Sequence, residues 1–172
     1  MNLQSSDFEL FGLAQQFTQD RAHLDARWKE LQREVHPDNF AHQSAAQQRI
    51  AMQWSVRVNE AYQRLKNPLA RASYLCELAG VPIEAHRNTA MPAAFLIQQM
   101  QWREAMEEAR DLRALETLQA EVTGMQSKLM LECSTLIDEK ANYPAAVAVI
   151  RSLLFIEKLG RDLEQRFEVL EN

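Results

Sequence analysis

Three adjacent residues, His36, Pro37 and Asp38, combine an imidazole, a fixed backbone angle and a carboxylate in a chain of 172 residues. Proline sets φ and disfavours the helical region for the residue before it, so His36 has to leave any preceding helix and the next residues must turn. A turn held in this way presents two directional hydrogen-bonding groups with little conformational entropy left to lose on binding. Chance alone would place the tripeptide in about 1% of chains of this length, so its meaning depends on what surrounds it. Catalytic chemistry finds no comparable support: there is no HExxH, Gly-rich phosphate loop or GxSxG, and the histidines at 23, 36, 42 and 86 share no helical face with carboxylates at ligand spacing. We expect neither an enzyme nor a cofactor or metal site.

Two further groups carry interaction chemistry. Lys29 and Arg33 are four residues apart and lie off the apolar stripe of their segment, an exposed basic row that can steer an acidic partner. In the second half, Phe95, Trp102, Met106 and Ala109 already supply one helical seam, yet Leu96, Ile97 and Met100 continue around the helix and Glu104 and Glu108 extend the same row. An apolar stripe wider than one seam and running into carboxylates predicts a binding face. Phe155, one residue off the seam of the last helix, is placed to complete it.

The elements that must position these residues are helices. Gly 4 and Pro 5 leave turn-makers scarce, and Val 8, Ile 6 and Thr 5 are too few and too scattered to stock a sheet. We expect an all-α chain. A short helix is predicted over Asp7–Leu13, with Gly12 near its end. Asp20 caps a second helix whose stripe of Leu24, Trp28, Leu31 and Val35 stops at Pro37, and 38–43 is a loop. Ser44 and Gln47 form a capping box for a long helix burying Ile50, Trp54, Val58, Ala61, Tyr62 and Leu65. A short helix over Leu69–Ala79 presents Leu69, Ala72, Leu75 and Leu78, and Gly80 ends it.

Beyond a linker at 81–91, three long patterns predict a three-helix bundle over 92–172, the first starting at Pro92. The second runs from Leu112 to Leu136 almost to a break at Asn142-Tyr143-Pro144; the third carries Val149, Leu153, Ile156, Gly160, Leu163, Phe167 and Leu170. Cys76 and Cys133 are read as buried thiols. The uncharged stretch from Asn88 to Trp102 is too short and too polar to span a membrane, and no signal peptide is evident, so a cytoplasmic protein is expected. The net charge of −5 opposes nucleic-acid binding, although Arg49 to Arg71 carries a local excess of basic groups.

The segment RWKELQREVHPDNF, followed by VNEAYQRLKNPLARASYL, resembles the J domain of the DnaJ co-chaperones: a basic helix, HPD, then an N-E-A-Y-x-x-L-x-x-P-x-x-R-x-x-Y pattern met by Asn59, Glu60, Ala61, Tyr62, Leu65, Pro68, Arg71 and Tyr74. DFELFGL is similar to the start of that domain. Asp25 and Glu30 depart from it, standing where many J domains are basic. No Gly/Phe-rich or Cys-rich module follows. A J domain at 1–80 joined to a helical bundle resembles the HscB family of iron-sulfur cluster assembly.

The resemblance implies that His36, Pro37, Asp38, Lys29 and Arg33 meet a DnaK-class ATPase chaperone, HscA, and stimulate it, Asp38 accepting a hydrogen bond from one of its cationic residues. It implies equally that Leu96, Ile97, Met100, Gln101, Glu104, Glu108 and Phe155 bind the scaffold protein IscU; Gln101 stands where the family would have a carboxylate. The alternative is a J-domain adaptor for a different client, outside iron-sulfur chemistry.

Overall fold

A computed structural model describes residues 2, 4–84 and 91–171. Its contacts divide the chain into two units, Met1–Leu75 and Cys76–Asn172, each considered by itself. Among the described residues every regular element is helical, in the order α1 Asp7–Phe11, α2 Arg21–Val35, a 3-10 turn Pro37–Phe40, α3 Ala45–Lys66, α4 Pro68–Leu78, α5 Ala93–Glu108, α6 Leu112–Ser134 with a π-helical turn Thr135–Glu139, and α7 Tyr143–Glu171. The division falls inside α4. Most of the expected linker, residues 85–90, lies outside the described residues.

Local chemistry sets the helix ends. Ser6 and Glu9 form a reciprocal capping box at α1, and Gly12, at φ 64°, closes it two residues earlier than the pattern suggested. The Asp20 carboxylate accepts the His23 N–H at the start of α2, and Ser44 and Gln47 cap α3 reciprocally. At the end of α2, His36 leaves the helix with ψ 128°, as the following proline requires. The stretch after it is more ordered than a loop, because Pro37 at the first helical position starts the 3-10 turn.

In the first unit α2 and α3 pack through Leu24, Leu31, Val35, Ala51, Val58, Ala61 and Leu65, with Phe8 and Phe11 of α1 wholly buried beside them. Two residues of α3 and α4 expected in the core are exposed: Ile50, in this unit, is 52% accessible, and Leu78, in the second unit, is 40%. Both sit near a helix end, where the stripe outruns its partner; Ala51 is buried one position after Ile50.

Asp7 is fully buried with an ion pair to each of two arginines of α3, Arg57 at 2.7 Å and Arg64 at 3.1 Å. Its own N–H donates to the Tyr74 hydroxyl at 3.0 Å, and the Arg64 guanidinium lies 4.6 Å from the Tyr74 ring centroid. Arg57 also donates to the Ser5 carbonyl. Arg71, 8% exposed, donates to the Phe17 carbonyl at 2.7 Å and to the Leu65 carbonyl in the last turn of α3. The basic excess between Arg49 and Arg71 is therefore largely spent inside this unit, which removes the physical basis for a phosphate-binding stripe.

The second unit is built by α5, α6 and α7 around Phe95, Trp102, Leu115, Leu118, Val122, Ile156, Leu159 and Leu163. The seam of α7 is shifted by one position from the expected one at two points: Ile150 and Leu159 are buried, whereas Val149 and Gly160 are only partly so. A straight α-helix drifts against a seven-residue repeat, so a strict heptad reading loses register over 29 residues. Leu112, assigned to the core from its spacing, is 37% exposed at the first turn of α6.

Cys76 and Cys133 are both fully buried, and burial pushes their thiols up to about 11 and about 12, so neither is a nucleophile at neutral pH.

Tyr143 and Pro144 belong to the first turn of α7 rather than to a break. The chain instead reverses at Ala141, which has φ 47°, flanked by Lys140 N–H donating to the Thr135 carbonyl and Asn142 N–H to that of Leu136. A Cβ in this left-handed region is strained by about 1–2 kcal/mol. Ala141→Gly removes that strain at some cost in unfolded-chain entropy. We expect a net gain of about 0.5–1 kcal/mol, read as a higher urea midpoint; a lower midpoint would contradict it.

Candidate functional site

The turn that carries His36, Pro37 and Asp38 is aimed by the clamp between α2 and α3. Trp28 stacks on Tyr62 with ring centroids 4.6 Å apart. The Asn59 side-chain carbonyl accepts from Trp28 Nε1 at 3.0 Å and from Gln32 Nε2 at 2.7 Å. Tyr62 donates its hydroxyl to Asp25 at 2.9 Å, and Arg21 pairs with the same carboxylate at 2.7 Å. The Tyr62 hydroxyl, and after it Arg21, hold the Asp25 carboxyl below its ordinary range. Asp25 is thus bound within the helix pair, and Glu30 is taken up by Arg27, whose Nε also holds the Phe11 carbonyl.

At the turn itself His36 Nδ1 accepts the Asp38 N–H at 3.3 Å and lies 3.5 Å from the Asp38 carboxylate. The Asn39 side-chain N–H caps α2 by donating to the Arg33 carbonyl at 2.6 Å, and the Asn39 backbone N–H bonds the His36 carbonyl. The Asp38 side chain is 88% exposed and that of His36 53%. Pro37 is half-buried, and Lys29 and Arg33 are exposed. Arg33 and His36 line one depression of about 290 Å³ with Gln32 and Asn39, while Lys29 stands one turn further back on α2. The turn thus presents two outward polar groups on an ordered backbone; among the described residues no group of His, Cys, Asp and Glu could hold a metal ion.

Asn59, to which spacing gave no task, and Tyr62, assigned by spacing to the buried face of α3, are the residues that tie α2 to α3 behind the turn. Their partners on α2, Trp28 and Asp25, lie 31 and 37 residues away in the chain. A polar residue on an otherwise apolar helix face was the available signal.

On α5, Leu96, Ile97 and Met100 are 39%, 59% and 68% exposed, and Gln101, Glu104 and Glu108 are exposed beside them. At 100° per residue these six share one side of the helix, with Phe95 and Trp102 buried on the other. Phe155 is half-buried: its ring meets Phe95 edge-on at 5.9 Å and lies 5.1 Å under the Arg103 guanidinium. It supports the edge of the face as much as it adds to it. Among the described residues, no helix is long and apolar enough to cross a membrane.

Residues 91–164 match the family model described as the HSCB C-terminal oligomerisation domain. The chain is 47% identical over 157 residues to a co-chaperone protein HscB homolog of Bordetella petrii, covering 91% of this chain and 92% of the relative. It is 43% identical over 175 residues to that of an Azoarcus species, covering 100% and 99%. Among solved structures it is similar to the chaperone HscB from Vibrio cholerae, with a TM-score of 0.84, 35% identity and 96% and 99% of the two chains covered. Human co-chaperone protein HscB matches with a TM-score of 0.91, 26% identity and 96% and 84% covered. A fold of two helical units, an ordered HPD turn and near-complete alignment at this identity agree: the chain belongs to the HscB family of co-chaperones.

Proposed function

We propose that this protein is a cytoplasmic co-chaperone of iron-sulfur cluster assembly, in which the segment 1–80 acts as the J domain, 81–91 as linker and 92–172 as the scaffold-binding bundle. The HPD turn docks on the DnaK-class chaperone HscA and speeds its ATP hydrolysis, while the bundle presents the scaffold protein IscU. The observation that carries this reading is the pairing of an exposed HPD turn on one unit with an exposed apolar and acidic helix face on the other.

Asp38, almost fully exposed, accepts a charge-assisted hydrogen bond from a cation of the chaperone. Lys29 and Arg33 raise the encounter rate with an acidic surface. Leu96, Ile97 and Met100 supply apolar area to the scaffold, Gln101, Glu104 and Glu108 give it polarity and register, and Phe155 backs the patch. Binding of one client to one chaperone in this way raises the effective concentration of each for the other.

ATP turnover by HscA in the presence of IscU tests the proposal. Addition of this protein should stimulate it several-fold or more, and the His36→Gln variant should lose nearly all of that stimulation. No stimulation by the native chain, or equal stimulation by the variant, would sink the mechanism. Stimulation of a DnaK-class chaperone together with no affinity for IscU would instead mark an adaptor for another client.

A further inference from the structure

The scaffold face assigned above has seven residues, whereas a specific protein interface uses about 20–30 residues a side. A scaffold held there must reach beyond α5. Within the second unit, a cavity of about 480 Å³ lies beneath the N-terminal half of α5. Phe95 forms one wall, and Met125, Leu129 and Leu136 of α6 with Val149 of α7 form the others. These last four are only half-buried, because they face an opening where a close-packed interior would put another side chain.

The cavity continues the α5 face. Its rim carries Ala94 and Gln98 of α5 and Glu132 of α6, with Ala94 and Glu132 exposed. At 100° per residue, Ala94 and Gln98 are the next positions round α5 after Ile97 and Gln101, so the exposed side of the helix runs into the cavity without a break. Phe155 and Arg103 stand on the opposite edge. Among the described residues the Glu132 carboxylate enters no ion pair. Glu104 and Glu108 lie about 9 and about 15 Å along α5 from Gln98. The extended surface therefore has an apolar middle and a carboxylate at each end, the complement of a partner with an apolar centre between two cations.

We infer that this cavity receives apolar side chains of the scaffold protein, with a neighbouring Lys or Arg of the scaffold paired to Glu132. The inference rests on the scaffold reading of α5 and carries the contact onto α6 and α7. Pockets that enclose a whole small ligand measure about 300–1,000 Å³, so there is room for more than one side chain. An apolar anchor in a preformed pocket, ringed by contacts that keep water out, is where binding energy concentrates.

Filling the cavity tests this. Ala148 of α7 lines it, and Ala148→Leu puts a larger side chain into space that is otherwise empty, a change that leaves a fold as stable or more so. Its thermal midpoint should stand at or above the native one while titration calorimetry shows affinity for IscU about tenfold lower. A part in folding alone would move the midpoint and leave the affinity. Glu132→Gln, at the rim, should weaken binding about threefold and make it less sensitive to salt. Native affinity in Ala148→Leu, beside a weakened Leu96→Ala, Met100→Ala variant, would overturn the cavity contact and leave the α5 face standing. No affinity of the native protein for IscU would overturn both. Should Ala148→Leu lower the midpoint, Glu132→Gln decides, and native affinity with native salt dependence in that variant would overturn the cavity contact.

Discussion

Replacing Asp7 with Ala is expected to cost the first unit about 3–5 kcal/mol, the magnitude for breaking a buried ion pair by removing one partner. Asp7 is fully buried, so its carboxylate has lost its water and depends on Arg57 and Arg64. The Arg57 side chain is only 20% exposed and would be left with its charge uncompensated, whereas Arg64, at 42%, has room to turn outward. Small domains have total stabilities of about 5–15 kcal/mol, so a loss of this size puts the unit near its unfolding threshold. Trp28 and Trp54 lie in this unit and Trp102 in the other. Urea unfolding followed on variants that retain only the first two reports it separately. Asp7→Asn keeps the shape and removes the charge; it should recover a minor part of the loss. A midpoint within experimental error of the native one for Asp7→Ala would show that the ion pairs contribute nothing net.

The second large effect is on scaffold binding. Leu96→Ala, Met100→Ala and Phe155→Ala together should weaken affinity for IscU by roughly a hundredfold to a thousandfold, since burying a side chain of this size contributes about 1.5–3 kcal/mol and truncation to Ala forfeits about half of that. The substitutions differ in what they do to the fold. Met100 is 68% exposed and Leu96 39%, so their truncation leaves the bundle nearly unchanged. Phe155 packs on Phe95 and under Arg103, so its loss also removes core contact, on the scale of about 1–3 kcal/mol. The Leu96→Ala, Met100→Ala double variant, with thermal unfolding as the control, isolates binding from stability. Titration calorimetry showing unchanged affinity for that double variant would reject the α5 face as the scaffold surface.

The ease with which α2 and α3 are recognised has a local cause. Asp20, Ser44 and Pro37 act on their immediate neighbours, and capping or loss of a backbone N–H does not need the rest of the fold. The excess apolar width of α5 is legible for the same reason, because a helix turns through a fixed angle per residue and six side chains on one side can be counted from spacing alone. Ile50, Leu78 and Leu112 failed to follow their stripes because a stripe states which side of a helix could be buried, not how far along the helix a partner extends.

Which charges pair across the fold was beyond the reach of spacing. A basic run from Arg49 to Arg71 and acidic residues at Asp25 and Glu30 read from sequence as surface features. In the fold Arg57 and Arg64 neutralise Asp7 from 50 and 57 positions away, Arg71 ties α3 to the Phe17 segment, and Asp25 joins Tyr62 across the helix pair. The sequence by itself determined an all-helical chain, the ends of most of its helices and the presence of an HPD turn, because these depend on contacts within about four residues. The outward placement of Arg33, Glu104 and Glu108 was equally legible from their helix positions; which charged groups are spent inside the fold only the tertiary structure decided, because a long-range ion pair depends on where folding brings two distant segments together.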